Sequence, residues 1–159
     1  MGLNLKDLTK DPVKFKKKEV TGEIEIEEVE ENEPGLIKSA GDKYEKFLEK
    51  KRLICYGGTA INALLPKQAQ FYNKETDLAD YDFFSTTPVE DAKELANIFH
   101  KNGFDEVEAK SGQHHGTYKV FVNYIPVADI TFLPKPIFNS LKKDAIRVGG
   151  ILYTPPNYL

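Results

Sequence analysis

Two aspartates, Asp80 and Asp82, stand one residue apart in the run Leu78-Ala79-Asp80-Tyr81-Asp82-Phe83-Phe84, whose other members suit burial. On an extended strand alternate side chains share a face. Both carboxylates would then point one way, with Cα atoms roughly 6.5 to 7 Å apart, while Tyr81 and Phe83 point the other. Like charges on one face repel, and in an apolar strand they are costly unless solvated, hydrogen-bonded or neutralised by cations. Carboxylate oxygens are the hard ligands that Mg²⁺ favours. A third acid, Asp129, stands alone in Val127-Ala128-Asp129-Ile130-Thr131-Phe132, again a segment otherwise fit for burial. Three such acids on neighbouring strands could hold two divalent cations about 4 Å apart, the spacing used for in-line phosphoryl or nucleotidyl displacement. One cation would activate an attacking hydroxyl, and the other would bind a triphosphate and its leaving pyrophosphate.

The pair Gly57-Gly58, followed by Thr59, supplies a second element of that chemistry. Without Cβ atoms the glycines let a phosphate approach backbone amides, and the helix that follows offers its N-terminus with the Thr59 hydroxyl beside it. The lysine-bearing pattern of a P-loop is absent, as is a dinucleotide fingerprint. Taken singly, each motif has a plainer explanation. A Gly-Gly turn can be chain geometry, an Asp-x-Asp an exposed or capping pair, and Asp129 an edge charge that discourages aggregation. Their joint occurrence in this order, each at a strand or strand end, favours a site.

The surrounding pattern must position these residues. Pro34 to Lys51 has helical periodicity through Leu36 or Ile37, Ala40, Tyr44, Phe47 and Leu48. A short apolar strand, Arg52 to Tyr56, precedes the glycines, and a brief helix, Ala60 to Leu65, follows them up to Pro66. Residues 67 to 77 read as a loop and Leu78 to Ser85 as a strand. Thr87-Pro88-Val89-Glu90 suits a helix start in which the Thr87 hydroxyl caps and Glu90 reaches back, with the helix running to Lys101. Three strands follow, Phe104 to Ala109, Thr117 to Tyr124 and Ile125 or Pro126 to Phe132. Next come a helix over Ile137 to Arg147 and a last strand, Ile151 to Tyr153. The last strand connections are too short for crossovers, so the predicted fold is α/β with a sheet that cannot be wholly parallel.

The 159 residues suffice for one core, and residues 1–33, with few large apolar groups and dense charge, read as an N-terminal arm ahead of a 34–159 domain. Ile24 and Ile26, alternating with glutamates, allow a short edge strand instead. The net charge of −3 argues against nucleic-acid binding by bulk electrostatics, although Lys135, Lys142, Lys143 and Arg147 leave room for a local basic surface. No apolar run approaches the ~20 residues of a membrane helix. Cys55 is the only cysteine and lies in an apolar run, which fits a reducing compartment. His114 and His115 read as turn residues. Tyr118, Phe121, Tyr124 and Phe132 read as core first and as base-stacking candidates second.

The segments Tyr56-Gly57-Gly58-Thr59-Ala60-Ile61-Asn62, Asp80-Tyr81-Asp82-Phe83-Phe84-Ser85 and Ala128-Asp129-Ile130 together resemble the DNA polymerase β-type nucleotidyltransferase superfamily. Over residues 50–159 the wording is most similar to the poly(A) polymerase catalytic subunits of large cytoplasmic DNA viruses, of the mimivirus-like type. The resemblance implies a palm with a mixed, mainly antiparallel sheet flanked by helices. It also implies a template-independent polymerase adding AMP from ATP to RNA 3′ ends. Gly57, Gly58 and Thr59 would bind the nucleotide phosphates; Asp80, Asp82 and Asp129 would be catalytic and bind two Mg²⁺ or Mn²⁺ ions. No membrane partner is implied, whereas a homodimer or a processivity subunit fits, as does a cytoplasmic virus factory or virion. Such polymerases continue into a helical domain, and the ending Thr154-Pro155-Pro156-Asn157-Tyr158-Leu159 reads as mid-protein, so an excised catalytic domain is expected. Two rival readings are a related enzyme with another acceptor and a non-catalytic scaffold of the same fold.

Overall fold

The computed structural model describes residues 13–15, 34–65 and 77–155. Eight strands form one sheet: β1 (Val13–Phe15), β2 (Ile54–Tyr56), β3 (Tyr81–Ser85), β4 (Val107–Ser111), β5 (Thr117–Val122), β6 (Ile125–Phe132), β7 (Ile146–Val148) and β8 (Ile151–Tyr153). Their order is β1-β4-β5-β6-β3-β2-β8-β7. Only β3–β6 and β2–β8 pair in parallel; the other neighbours are antiparallel. The expected mixed, mainly antiparallel sheet is therefore present. The first parallel pair exists because a helix and the β4–β5 hairpin intervene between its strands, giving the length that a crossover needs.

Helix α1 (Pro34–Lys51) forms where the periodicity places it, and Ala40, Tyr44, Phe47 and Leu48 are all buried on its inner stripe. It lies against α3 (Pro88–Lys101), which packs across β3 to β6 through Ala92, Leu95, Ala96 and Phe99. The Tyr44 ring meets Tyr81 and Phe99 edge-on, at centroid distances of 4.9 and 5.4 Å. Such edge-to-face pairs add to simple burial. Tyr81, Phe83 and Ser85 of β3 are buried, whereas Asp82 and Phe84 are only partly covered. The core thus fills one face of the central strands and leaves the other for the aspartates.

Several boundaries differ from expectation. The strand expected to carry both paired acids begins at Tyr81, so Asp82 lies in it and Asp80 in irregular chain just ahead of it. The Thr87 side chain makes no cap hydrogen bond. Instead the Thr87 amide donates to Ser85 Oγ at 2.8 Å, and Ser85 Oγ donates to the buried Asp91 at 2.5 Å. The Ser85 hydroxyl, two residues upstream, thus takes the Thr87 amide that Glu90 was expected to reach. The late helix α4 (Lys135–Asp144) ends sooner than expected, and Arg147 lies in β7. The cause is Gly149-Gly150, whose φ values of +59° and +88° make the tight turn that folds Ile146–Val148 back onto β8. Val13–Phe15 pairs with Val107–Ala109 as an edge strand. The Ile24–Ile26 alternative and the rest of residues 1–33 lie outside the described residues.

Candidate active site

One register row crosses the exposed face of the sheet. Tyr56 on β2 is the Cα partner of Asp82 on β3, Asp82 of Asp129 on β6, Asp129 of Lys119 on β5, and Lys119 of Lys110 on β4. Directly opposed residues point to the same face, with strands about 4.8 Å apart. The row therefore reads hydroxyl, carboxylate, carboxylate, ammonium, ammonium. Its polar neighbours are tied together: the Tyr56 and Thr131 hydroxyls are 2.9 Å apart, Tyr56 stacks on Phe84 at 4.2 Å, and Lys119 Nζ lies 2.5 Å from Asp129 Oδ1.

The meeting of Asp129 and Lys119 depends on a bulge. From the Asn123-Tyr124 turn, with φ of +51° and +67°, pairing runs Val122–Ile125 and Phe121–Pro126, then shifts so that Val120 faces Ala128. Val127 is the extra residue, and both it and Ala128 are buried, which breaks the alternation of β6. Its carbonyl accepts a hydrogen bond from the buried Tyr44 hydroxyl of α1. The core thus pins the irregularity that sets the row.

The glycine turn closes the row at its β2 end. Helix α2 (Gly57–Ala63) begins at the glycines rather than after them. Gly57 has φ +77°, and a Cβ there would stand 2.5 Å from Asp82 Oδ2. The space that glycine leaves is therefore used by the Asp82 carboxylate itself. Gly58 is exposed, with nothing within 4 Å of a Cβ position, and faces open space. The Thr59 side chain lies outside the described residues.

Crowding of negative charge acts on the carboxyl groups. Partial desolvation first, then the charges of Asp129 and Asp80 and a hydrogen bond with Asp129, push the Asp82 carboxyl up to about 7, against an opposing pull from Lys119. Desolvation, then Asp129, raises Asp80 to about 6, again with Lys119 opposing. A site that disfavours its own carboxylate charges, lies beside a Cβ-free turn and already accommodates one ammonium has the donor chemistry for hard cations. Among the described residues the three carboxylates do not by themselves converge as a three-ligand group. Asp82 and Asp129 meet across the strands, and Asp80 acts on them from the chain before β3.

Beside Asp129 opens a cleft of ≈ 700 Å³ walled by Tyr56, Lys110, Lys119, Phe121 and Thr131. Phe121, a base-stacking candidate, lines it with Lys110 Nζ 4.7 Å from its ring centroid. Tyr124 and Phe132 are exposed. Another cleft, of ≈ 640 Å³, lies between α1, α3 and α4 and includes none of the predicted site residues. His114 and His115 are exposed ahead of β5, as the turn reading expected, and Cys55 is fully buried. Sequence reasoning overlooked Tyr56, Lys110, Lys119 and Thr131. The four lie on four different strands, β2, β4, β5 and β6, and the pairing that aligns them across the sheet is not visible in any one segment.

This mixed sheet, with facing carboxylates on its central parallel pair beneath a glycine turn, is a nucleotidyltransferase palm. The family model for the poly(A) polymerase catalytic subunit matches residues 42–159, and the chain belongs to that family. A relative from Acanthamoeba polyphaga mimivirus bearing the family's name is 34% identical over 153 residues, covering 92% of this chain and 26% of that protein. One from African swine fever virus (strain Badajoz 1971 Vero-adapted) is 37% identical over 105 residues, covering 66% of this chain and 22% of the relative. The crystal structure of the Megavirus polyadenylate synthase aligns with a TM-score of 0.64 at 29% identity, covering 91% of this chain and 32% of that one. The chain therefore spans between 22% and 32% of the length of these relatives. Among the described residues, no helix is long and apolar enough to cross a membrane.

Proposed function

We propose that residues 34–159 are the catalytic palm of a template-independent RNA nucleotidyltransferase that adds AMP from ATP to RNA 3′ ends, within a longer polymerase. The observation that carries this reading is the direct opposition of Asp82 and Asp129 across the parallel β3–β6 pair, with Asp82 seated under Gly57. Asp80, Asp82 and Asp129 are the residues to hold two Mg²⁺ or Mn²⁺ ions. Bound there, the ions supply charge neutralisation at the triphosphate and a more nucleophilic primer hydroxyl. Asp129, on the side of the cleft, faces the primer end; Asp80 and Asp82 serve the nucleotide side. The amides of Gly57 and Gly58, with Thr59, contact the phosphates. The exposed back of Gly58 leaves the approach they need. Adenine as the base and RNA as the acceptor come from membership of the family and from the names its viral relatives carry.

The test uses the full-length polymerase with labelled ATP and an oligonucleotide primer. Asp82→Asn or Asp129→Asn should lower incorporation by at least about 100-fold, the equivalent of about 3 kcal/mol of lost transition-state stabilisation. Incorporation at the wild-type rate in either variant would sink the assignment.

A further inference from the structure

The ammonium end of the row is left unused by the reading above. Lys119 Nζ touches Asp129 Oδ1 at 2.5 Å, with only 33% and 30% of the two side chains exposed. The contact is built into the sheet, because the two residues are opposed Cα partners in a hairpin whose register is fixed by the buried Val127 bulge. It also occupies one oxygen of a carboxylate that a cation would need. Beside Lys119 lies the ≈ 700 Å³ cleft, roomy enough to receive the end of a flexible four-carbon stem.

We infer that Lys119 is a positioning residue that acts as an exchangeable internal counter-ion. It holds Asp129 and offsets the carboxylate crowding in the metal-free protein, then yields Oδ1 to a divalent cation and swings its ammonium toward the cleft. The inference rests on the reading of Asp82 and Asp129 as cation-binding carboxylates. Two consequences follow with opposite signs. Lys119 stabilises the metal-free fold, since without it Asp82 and Asp129 face each other, with Asp80 acting from the preceding chain, under less opposing charge. It also weakens metal binding, because a divalent ion must first displace the ammonium.

The experiment compares full-length wild type, Lys119→Met, Lys119→Gln and Lys119→Arg, with Mn²⁺ as the probe and no nucleotide present. Free Mn²⁺ is followed by its electron paramagnetic resonance signal, and thermal unfolding is recorded in EDTA and in saturating Mn²⁺. The neutral variants should bind Mn²⁺ about three- to tenfold more tightly, the range for a partly screened pair. Their Tm should fall below wild type in EDTA and rejoin it in Mn²⁺. Lys119→Arg, which keeps the charge, should stay near wild type in both measurements. Unchanged or weaker Mn²⁺ binding in the neutral variants overturns the inference, as does a Tm deficit of equal size with and without Mn²⁺. If one neutral variant fails to fold even in Mn²⁺, the other decides the outcome. Failure of both to fold in Mn²⁺ also overturns it, because metal should replace the missing charge. Asp129→Asn separates the two layers: Mn²⁺ binding unchanged there removes the site reading itself, whereas lost binding with unaltered Lys119 variants removes only the counter-ion role.

Discussion

At Asp82, burial, two neighbouring acids and a glycine with no side chain act on one carboxylate. Its carboxyl is raised to about 7 and that of Asp80 to about 6, from an ordinary 3.8. A raised carboxyl favours the protonated form in the fold. Its stability contribution is full below the unfolded value near 4 and is lost as pH rises through the folded values. Metal-free protein should therefore lose stability between about pH 4 and pH 7 on account of these groups. Asp82→Asn, which mimics the protonated acid, should raise Tm at pH 8 in EDTA and converge with wild type near pH 4. Identical pH profiles for the two would contradict the assignment of the strain to this carboxylate.

The neighbouring glycines should separate by the same measurement. Gly57→Ala meets both a left-handed backbone, at roughly 1–2 kcal/mol, and the Asp82 oxygen. For a domain of this size that is a fall in Tm of about 2 to 8 °C, accompanied by weaker Mn²⁺ binding. Gly58→Ala, with open space around its Cβ position, should leave Tm within about 1 °C. Equal losses at the two positions would show that Asp82 does not depend on the space at Gly57.

Among the elements, α1 does more than cover the sheet. Its Tyr44 hydroxyl donates to the carbonyl of Val127, the residue that the β5–β6 ladder leaves over. Tyr44→Phe removes that donor while keeping the ring contacts, and leaves a buried carbonyl without it. The expected cost is about 1 to 3 kcal/mol by chemical denaturation. Because the bulge fixes which residue faces Asp129, Mn²⁺ affinity should change as well. A loss of stability with unaltered metal binding would show that the register survives without this bond. At its other end α1 is tied to α3 through Lys51 Nζ, 2.7 Å from the buried Asp91, whose other oxygen accepts from Ser85. The turn after β3 is thereby fixed to both helices.

For the molecule as a whole, the sheet and the carboxylate row stand within a chain that spans a minor part of its relatives' length. If the palm carries the nucleotide phosphates, ATP with Mg²⁺ should stabilise this 159-residue chain by itself. At one hundred times Kd the gain is about 2.7 kcal/mol, a rise in Tm of about 5 to 10 °C. ATP with EDTA should give a much smaller shift. Equal shifts with and without metal would argue for nucleotide contacts away from the aspartates.

Much of this was legible in the chain itself. The helical period of α1 and α3 and the lone acids in apolar strands follow from local rules of side-chain direction and burial, which a single segment can reveal. The α/β class and the glycine turn before the paired acids were readable for the same reason. The start of β3 after Asp80, the bond from the Thr87 amide to Ser85 and the strand at Arg147 were not. Each depends on a partner distant in sequence or on a turn that redirects its neighbours. The row from Tyr56 to Lys110 is the clearest case. Counting back from the hairpin turn without a bulge sets Tyr118 opposite Asp129, whereas the extra Val127 sets Lys119 there. Residue types alone determined that carboxylates would be crowded and in need of positive charge. Only the tertiary structure decided that a lysine meets them, because a one-residue change of register exchanges the faces of a strand and that register is held by a buried contact from another element.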